Sequence, residues 1–288
     1  MSASSDLILA AIGQLLLAAI AAAIAIAIGV QRKGGKKASV VLAAIAGTSA
    51  IAYALFVRGK PWLADVLPTS AVIVWSDLTL PLATTAGVGL WPILPKPTAR
   101  RVFLVLAITF AGAAVTFDPL RRLAVGSPPT TDVWDGEICI QTTPATCGPA
   151  ALATLLRAHE IDFDEAILAR FCLTNSDGSP DLGLWRGLSL ATADTEWEPI
   201  RLTGEPAGFD RPAVITVGLP SNPPPGVNPQ YANQWGWQPG VRHVVVLYGT
   251  LPGDGYDIGD PAAGRERWDE DAVHVLYRGT AFALRRRK

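Results

Sequence analysis

The chain of 288 residues is half hydrophobic and carries a net charge of only −1 at pH 7. This total combines two unlike parts. Residues 1–130 hold eleven Lys/Arg and four Asp/Glu, a balance of +7, whereas residues 131–288 hold thirteen and twenty-one, a balance of −8. The acidic second part has no basic patch with interleaved aromatic residues, which excludes a nucleic-acid binder.

Four apolar segments predict membrane-spanning helices, at residues 7–30, 38–57, 71–94 and 102–117. About 20 apolar residues in a helix cross a hydrocarbon core about 30 Å thick. No Lys or Arg precedes the first segment, which favours an uncleaved helix over a signal peptide. The third segment is the weakest because it contains Asp77, which we expect near the membrane interface; a functional residue at membrane depth is the alternative.

The positive charges of the loops predict the topology of the chain. The first and third loops carry seven Lys/Arg, and the second loop and the stretch after the fourth segment carry four. Cationic loops stay in the cytoplasm, so both termini and the C-terminal domain are expected outside it. Losing one segment from the count would reverse this assignment.

The rest of the chain divides into a linker and one domain. Residues 118–132 are rich in Pro and Gly without apolar periodicity, which predicts a linker. Residues 133–288 have the length of one compact domain. Helices are predicted first and strands afterwards, which indicates the α+β class. The helices are expected at 150–160, 164–172 and 182–193, and the strands at 213–219, 242–248, 256–258 and 281–284.

Cys147 is the candidate nucleophile of this domain. It directly precedes Gly148 and Pro149 and opens a predicted helix. A helix N-terminus favours the thiolate, because its N–H groups are unpaired and carry partial positive charge. A buried structural cysteine is the alternative. The other cysteines, Cys139 and Cys172, are interpreted as small core residues, with a disulfide between them as the second possibility.

Three further residues complete a candidate catalytic set. His243 begins an apolar strand and Asp260 follows the next strand, so the two can face each other across a hairpin. The carboxylate would then orient the imidazole as general base. Gln141, six residues before Cys147, can donate its side-chain amide to an oxyanion hole together with the Cys147 N–H. This chemistry needs no metal and no organic cofactor.

The motifs resemble those of the papain-like bacteriocin-processing cysteine peptidases, which remove double-glycine leader peptides. The resemblance lies in residues 141–149 with the following apolar helix, in 181–184, in 243–249 and in Asp260-Pro261-Ala262-x-Gly264. It covers about residues 133–288 and implies a papain-like α+β domain. It also implies Cys147 as nucleophile, His243 as base, Asp260 as its orienting group and Gln141 in the oxyanion hole.

The chain departs from that family in three respects. Thr146 stands where members usually carry an acid, and residues 220–240 insert a Pro- and Trp-rich stretch before His243. This stretch is interpreted as a packed surface loop, with a substrate groove or membrane contact as the alternative. Many members are N-terminal domains of ABC exporters, whereas here the domain is C-terminal and no ATPase motif is present. Export and cleavage are therefore not expected within this chain.

The sequence thus predicts a membrane-anchored cysteine endopeptidase that cleaves peptides, leader peptides among the candidates. The expected partners are a peptide or protein substrate and the lipid bilayer, and a separate exporter is an open candidate. A non-catalytic membrane-tethered binding module on the same fold, and a thiol acyltransferase, are the alternatives. His159 and His274 are expected to have no catalytic role.

Overall fold

The structure, a computed structural model, describes residues 4–30, 34–221, 237–253 and 255–288. The chain divides into two compact units. One contains residues 1–60 and 71–121, and the other contains Pro61–Ser70 and Arg122–Lys288. The first part of the chain is helical, with α1 (Ser5–Val30), α2 (Gly35–Phe56), α3 (Leu63–Val66), α4 (Val72–Trp75), α5 (Thr79–Gly89), α6 (Thr98–Thr116) and α7 (Asp118–Val125).

Four stretches of the described chain are long and apolar enough to cross a membrane. They are Ser5–Val30, Gly35–Phe56, Val72–Gly89 and Thr98–Thr116. Each coincides with a segment for which the sequence predicts a span. In the first of them most large side chains are exposed, as a lipid-facing helix requires.

Asp77 lies between α4 and α5, beside the C-terminal ends of α2 and α6. Its carboxylate accepts hydrogen bonds from Arg58 Nε at 2.9 Å and from Thr116 Oγ1 at 3.2 Å. It also accepts from the backbone N–H of Thr79, the first residue of α5, at 2.9 Å. A carboxylate favours a helix N-terminus, so this contact stabilises the start of α5. The location of Asp77 near the membrane interface stays a prediction.

The stretch expected to be a linker begins with a helix. Asp118 and Pro119 open α7, and both suit a first helical turn, the acid by its charge and proline by its fixed φ. Residues 126–132 then follow without regular structure. The proline-rich composition of the stretch concealed the short helix.

The C-terminal domain combines helices with an antiparallel sheet, so the predicted α+β class is confirmed. Six strands are paired in the order β3–β8–β4–β5–β6–β7, and β1 and β2 form a separate hairpin. The helices are α8 (Cys147–Arg157), α9 (Glu165–Phe171), α10 (Asp181–Ala191) and α11 (Glu270–Leu276). The strands are β1 (Val133–Asp135), β2 (Ile138–Ile140), β3 (Trp197–Leu202), β4 (Ala213–Gly218), β5 (Arg242–Leu251), β6 (Gly255–Asp260), β7 (Gly264–Asp269) and β8 (Tyr277–Arg286).

Strands β3 and β7, which the sequence did not predict, are the two edges of the large sheet. β3 contains Pro199, and β7 contains Arg265, Glu266 and Arg267. An edge strand has an unpaired side, so proline and alternating charges are tolerated there and also prevent pairing with other chains. The features that make these strands poor predictions are those that suit an edge.

Helix α8 lies at the centre of the domain. All residues from Cys147 to Leu156 are buried, and its neighbours are α9, α10, β2 and β5. The predicted helix began at residue 150, whereas the observed one begins at Cys147 itself. A helix buried on every side cannot shift without breaking core contacts. The position of Cys147 is therefore fixed by packing.

Candidate active site

Cys147, the first residue of α8, opens into a groove. The groove has a volume of about 480 Å³ and runs between the loop before α8, the turn before α10 and the first residues of β5. Gly148 permits the close approach of α10, since a Cβ there would lie 2.7 Å from Leu184 Cδ2. The Cys147 side chain is only 7% exposed. A second cavity, in the helical unit, has a mostly apolar lining, and the hydroxyl of Ser39 in that lining donates to the Gly89 carbonyl.

His243 and Asp260 form a pair that is completely buried. His243 is the second residue of β5, Asp260 is the last residue of the neighbouring strand β6, and imidazole Nε2 lies 2.7 Å from Asp260 Oδ1. The Ala262 N–H also donates to Oδ1, at 2.8 Å. The hairpin thus brings together the histidine and the carboxylate that the sequence analysis singled out. Their roles in catalysis stay predictions.

The second ring nitrogen of His243, Nδ1, is buried and makes no hydrogen bond within the described residues. The Cys147 side chain nevertheless interacts with this imidazole. Burial lowers the pKa of His243, but the charge of Asp260 and the hydrogen bond to it act more strongly in the other direction, and Cys147 adds to their effect. The net result is a raised pKa, so the site favours the imidazolium form.

Trp237 completes the surroundings of the pair, and the sequence analysis missed it. Its indole N–H donates to Asp260 Oδ2 at 2.7 Å. Its ring lies 4.8 Å from that of His243 and 5.6 Å from that of Trp268, centroid to centroid. Trp237 belongs to the 220–240 insertion, whose residues 222–236, with Tyr231 and Trp235, lie outside the described part. Trp237 itself is fully buried, so it is not available as an exposed groove or membrane residue.

Gln141 lies next to the loop that carries Asp260. Its backbone N–H donates to the carbonyl of Pro261 at 2.9 Å. Its buried side-chain amide donates to the carbonyl of Thr143 at 3.1 Å, and its Oε1 has no hydrogen-bond partner in the part of the chain described. An amide nitrogen has two hydrogens, so the second one can serve a substrate oxyanion. The oxyanion role stays a prediction.

Thr146, in the position where an acid was expected, closes the turn that holds Gln141. Its Oγ1 accepts from the Thr143 N–H at 3.0 Å and donates to the Thr143 carbonyl at 3.1 Å. The Thr146 N–H donates to the same carbonyl at 3.1 Å. That carbonyl also receives the Gln141 amide, so Thr146 fixes the acceptor that orients Gln141.

A buried carboxylate anchors the same loop from the other side. Glu165 is fully buried and accepts from the Thr142 N–H at 3.0 Å and from Thr142 Oγ1 at 2.5 Å. Thr142 in turn accepts from the Thr131 N–H at 2.9 Å. Hydrogen bonds to a buried charge are among the stronger ones in proteins. The loop between Gln141 and Cys147 is therefore held at both ends.

Both arginines that line the groove have hydrogen-bond partners. Arg242 donates to both oxygens of Asp181, the first residue of α10, at 2.7 Å. Arg122 donates to Asn175 Oδ1 at 2.9 Å. Thr216 also lines the groove, and its buried hydroxyl has no hydrogen-bond partner among the residues described.

The other candidate residues have structural environments. Cys139 and Cys172 are free and fully buried, and burial raises the pKa of each thiol well above its usual range. His159 Nδ1 lies 2.9 Å from the Leu155 carbonyl, and its ring packs edge-on against Trp197. His274 is exposed, 3.9 Å from Glu205. Across the described ranges, no group of three or more His, Cys, Asp or Glu could hold a metal ion.

Comparison with known proteins returns peptidases. The chain is 29% identical over 145 residues to the probable functional amyloid protease FapD of Pseudomonas fluorescens, and the match covers 50% of this chain and 58% of that protein. The chain thus spans a little over half the length of this curated relative. No protein-family model matches the chain.

Three solved structures are also similar to the chain. The peptidase domain of Streptococcus ComA, a bi-functional ABC transporter involved in quorum sensing, is 19% identical with a TM-score of 0.40, covering 52% of this chain and 98% of that one. A double-glycine motif protease of an AMS/PCAT transporter, solved with its leader peptide, is 19% identical with a TM-score of 0.39, covering 56% and 97%. The peptidase domain of Streptococcus mutans ComA is 18% identical with a TM-score of 0.35, covering 52% and 99%. These are the kind of peptidase that the sequence motifs resemble.

Proposed function

We propose that the chain is a membrane-anchored cysteine endopeptidase that cleaves peptide substrates. One observation carries the proposal. A thiol at the start of a buried helix interacts with an imidazole whose other nitrogen is held by a buried carboxylate, and the thiol opens into a groove. A nucleophile, a base and an orienting group in this arrangement are the parts that acyl transfer to a thiol requires.

The reaction follows from these positions. The raised pKa of His243 favours an imidazolium, and its proton comes from the Cys147 thiol, which leaves a thiolate. The thiolate attacks the carbonyl carbon of the scissile peptide, and the oxyanion is held by the Cys147 N–H and the Gln141 amide. Collapse of this intermediate breaks the C–N bond while the imidazolium gives its proton to the leaving amine.

Hydrolysis of the acyl-enzyme restores the site. Neutral His243 takes a proton from water, and the resulting hydroxide attacks the thioester carbonyl. The second tetrahedral intermediate expels the Cys147 thiolate and releases the carboxylate product. Asp260, held by the Trp237 and Ala262 N–H groups, keeps the imidazole oriented through both steps.

The proposed substrate is an extended peptide or a protein segment. The groove has a volume of about 480 Å³ and Cys147 is among its lining residues, so a peptide carbonyl bound there can reach the thiol. The similar PCAT protease was solved with a leader peptide. Leader peptides are accordingly the first substrates to test, and a separate exporter is a candidate partner.

The helical unit is proposed as the membrane anchor. Three of its four candidate spans are apolar and largely exposed, which suits a lipid environment, and the half-buried Val72–Gly89 contacts the other three. With four spans and the more cationic loops in the cytoplasm, the peptidase domain lies outside the cytoplasm.

The purified full chain with a peptide library tests the activity. We expect cleavage by the wild type and none by Cys147→Ala, with unchanged thermal unfolding. A thiol-directed electrophile should label Cys147 at least tenfold faster than Cys139 and Cys172, and His243→Ala should remove this preference. Cleavage that persists in Cys147→Ala would overturn the mechanism. Labelling at equal rates would instead favour a non-catalytic module.

A further inference from the structure

A segment between two of the candidate spans belongs to the peptidase domain. Pro61–Ser70 lies in sequence between α2 and α4, yet it clusters with Arg122–Lys288. It contains the short helix α3, in which Leu63 is 6% exposed and Ala64 is completely buried. Val66, the last residue of the same helix, is 64% exposed. Part of α3 is therefore buried, and strand β3 of the domain contacts this helix.

The domain contributes two polar contacts to this segment. Arg201, on strand β3, places Nε and Nη2 at 2.8 Å and 2.5 Å from Asp65 Oδ2. Trp185, on helix α10, donates its indole N–H to the carbonyl of Thr69 at 3.2 Å. The ion pair is partly exposed and mainly fixes the register of the segment, whereas the buried face of α3 provides the apolar contact.

We infer that Pro61–Ser70 is a docking segment for the α10–β3 face of the peptidase domain, and that Val72–Gly89 and Thr98–Thr116 both cross the membrane. The second statement follows from the first and from the hydropathy of the two segments. A hydrocarbon core is about 30 Å thick, so a loop can touch a domain only from the same side of the bilayer. The chain between residues 70 and 122 must then cross either not at all or twice, and the hydropathy of its two candidate spans favours two crossings.

Val72–Gly89, the weakest predicted span, must therefore cross whenever Thr98–Thr116 crosses. Val72–Gly89 has the lowest hydropathy of the four and contains Asp77. If it did not cross while Thr98–Thr116 did, the docking segment and the domain would lie on opposite sides. The segment also touches the helix that forms one wall of the groove, because Trp185 is about one turn after Asp181. Docking therefore restrains that wall.

Cysteine labelling of the full chain in membrane vesicles tests the docking. In a Cys147→Ala background the remaining native thiols, Cys139 and Cys172, are buried. A membrane-impermeant maleimide should label Ala64→Cys at least tenfold more slowly than the matched control Val66→Cys in the same short helix. Equal rates would overturn the docking. The readout needs no catalysis, so its failure is distinct from a failure of the proposed peptidase activity.

The same reagent tests the sidedness. Val66→Cys and Lys288→Cys should both be labelled in one vesicle orientation and both be protected in the other. Labelling from opposite sides would overturn the two-span inference.

A charge swap tests the contact itself. Arg201→Asp should increase the labelling rate of Ala64→Cys about tenfold, because two carboxylates would then face each other. Adding Asp65→Arg should restore the slow rate. An Ala64→Cys rate that is the same in all three backgrounds would overturn docking through this face.

Discussion

The hydrogen bond from Trp237 to Asp260 offers a sharp test of the site. Trp237→Phe keeps an aromatic ring against His243 but removes the indole N–H that donates to Asp260 Oδ2 at 2.7 Å. Asp260 is completely buried, so no water replaces the lost donor without a structural change. The carboxylate would keep two donors, His243 and the Ala262 N–H.

The expected decrease in kcat follows from the strength of the hydrogen bond that is lost. A hydrogen bond to a charged group contributes about 1.5–3 kcal/mol, and its loss leaves a buried oxygen unsatisfied. If this loss falls on the orientation of the imidazole, kcat decreases about 10- to 100-fold, since about 1.4 kcal/mol corresponds to a factor of ten. KM should change little, because Trp237 is buried and does not reach the groove surface.

The assay is steady-state cleavage of a peptide found with the wild type, together with thermal unfolding of each variant. Trp268→Phe is the matched control: it is also a buried tryptophan of the same cluster, and it loses an indole hydrogen bond to Glu266 at 2.9 Å instead of one to Asp260. The control should retain kcat within about threefold. A Trp237→Phe enzyme with the kcat of the control would show that the indole N–H does not orient the imidazole.

Three other predictions concern the loop, the imidazole and the helix packing. Thr146→Val should lower kcat about tenfold with little change in KM, and it should weaken the binding of a peptide-aldehyde inhibitor in parallel. Thr146→Ser should restore both values. An equal loss in both variants would contradict a role of the hydroxyl. Because the folded pKa of His243 is raised, its contribution to stability is fully present below about pH 6.5 and lost as the pH rises through that raised pKa. Asp260→Asn removes the main cause of the raised pKa, so the alkaline limb of kcat/KM should move to lower pH, and an unmoved limb contradicts this. Gly183→Ala would place a Cβ 2.2 Å from the backbone carbonyl oxygen of Cys172, so it should lower the free energy of unfolding by about 1–3 kcal/mol in chemical denaturation. Gly208→Ala is the control, because the space around Gly208 is open, and it should change that free energy by less than about 0.5 kcal/mol.

The candidate catalytic residues and their order along the chain could be predicted from the sequence. Cys147 before an apolar helix, His243 at the start of an apolar strand and Asp260 after the next strand each have a local signal, because helix and strand periodicity depends on neighbouring residues. The structure places His243 and Asp260 on adjacent antiparallel strands, as the hairpin interpretation required. Their catalytic roles await the measurements described above.

Other parts of the site had no local signal. Trp237 lies in a Pro- and Trp-rich stretch where composition favours a surface loop, and only the packed fold shows its indole against Asp260. Thr146 was an unexplained departure until the turn to Thr143 accounted for it. In the sequence, Glu165 is typical of an acidic residue in the first turn of a helix. In the structure it is buried and accepts a hydrogen bond from the Thr142 N–H.

The α+β class, the four apolar segments and the candidate residues Cys147, His243 and Asp260 could be predicted from the sequence, because they depend on periodicity, composition and spacing along the chain. The tertiary structure alone decided which distant groups meet. It joined Pro61–Ser70 to the C-terminal domain, although this segment lies between candidate spans. It also enclosed the His243–Asp260 pair with Trp237. Contacts between residues far apart in sequence are set by packing, which no local pattern encodes.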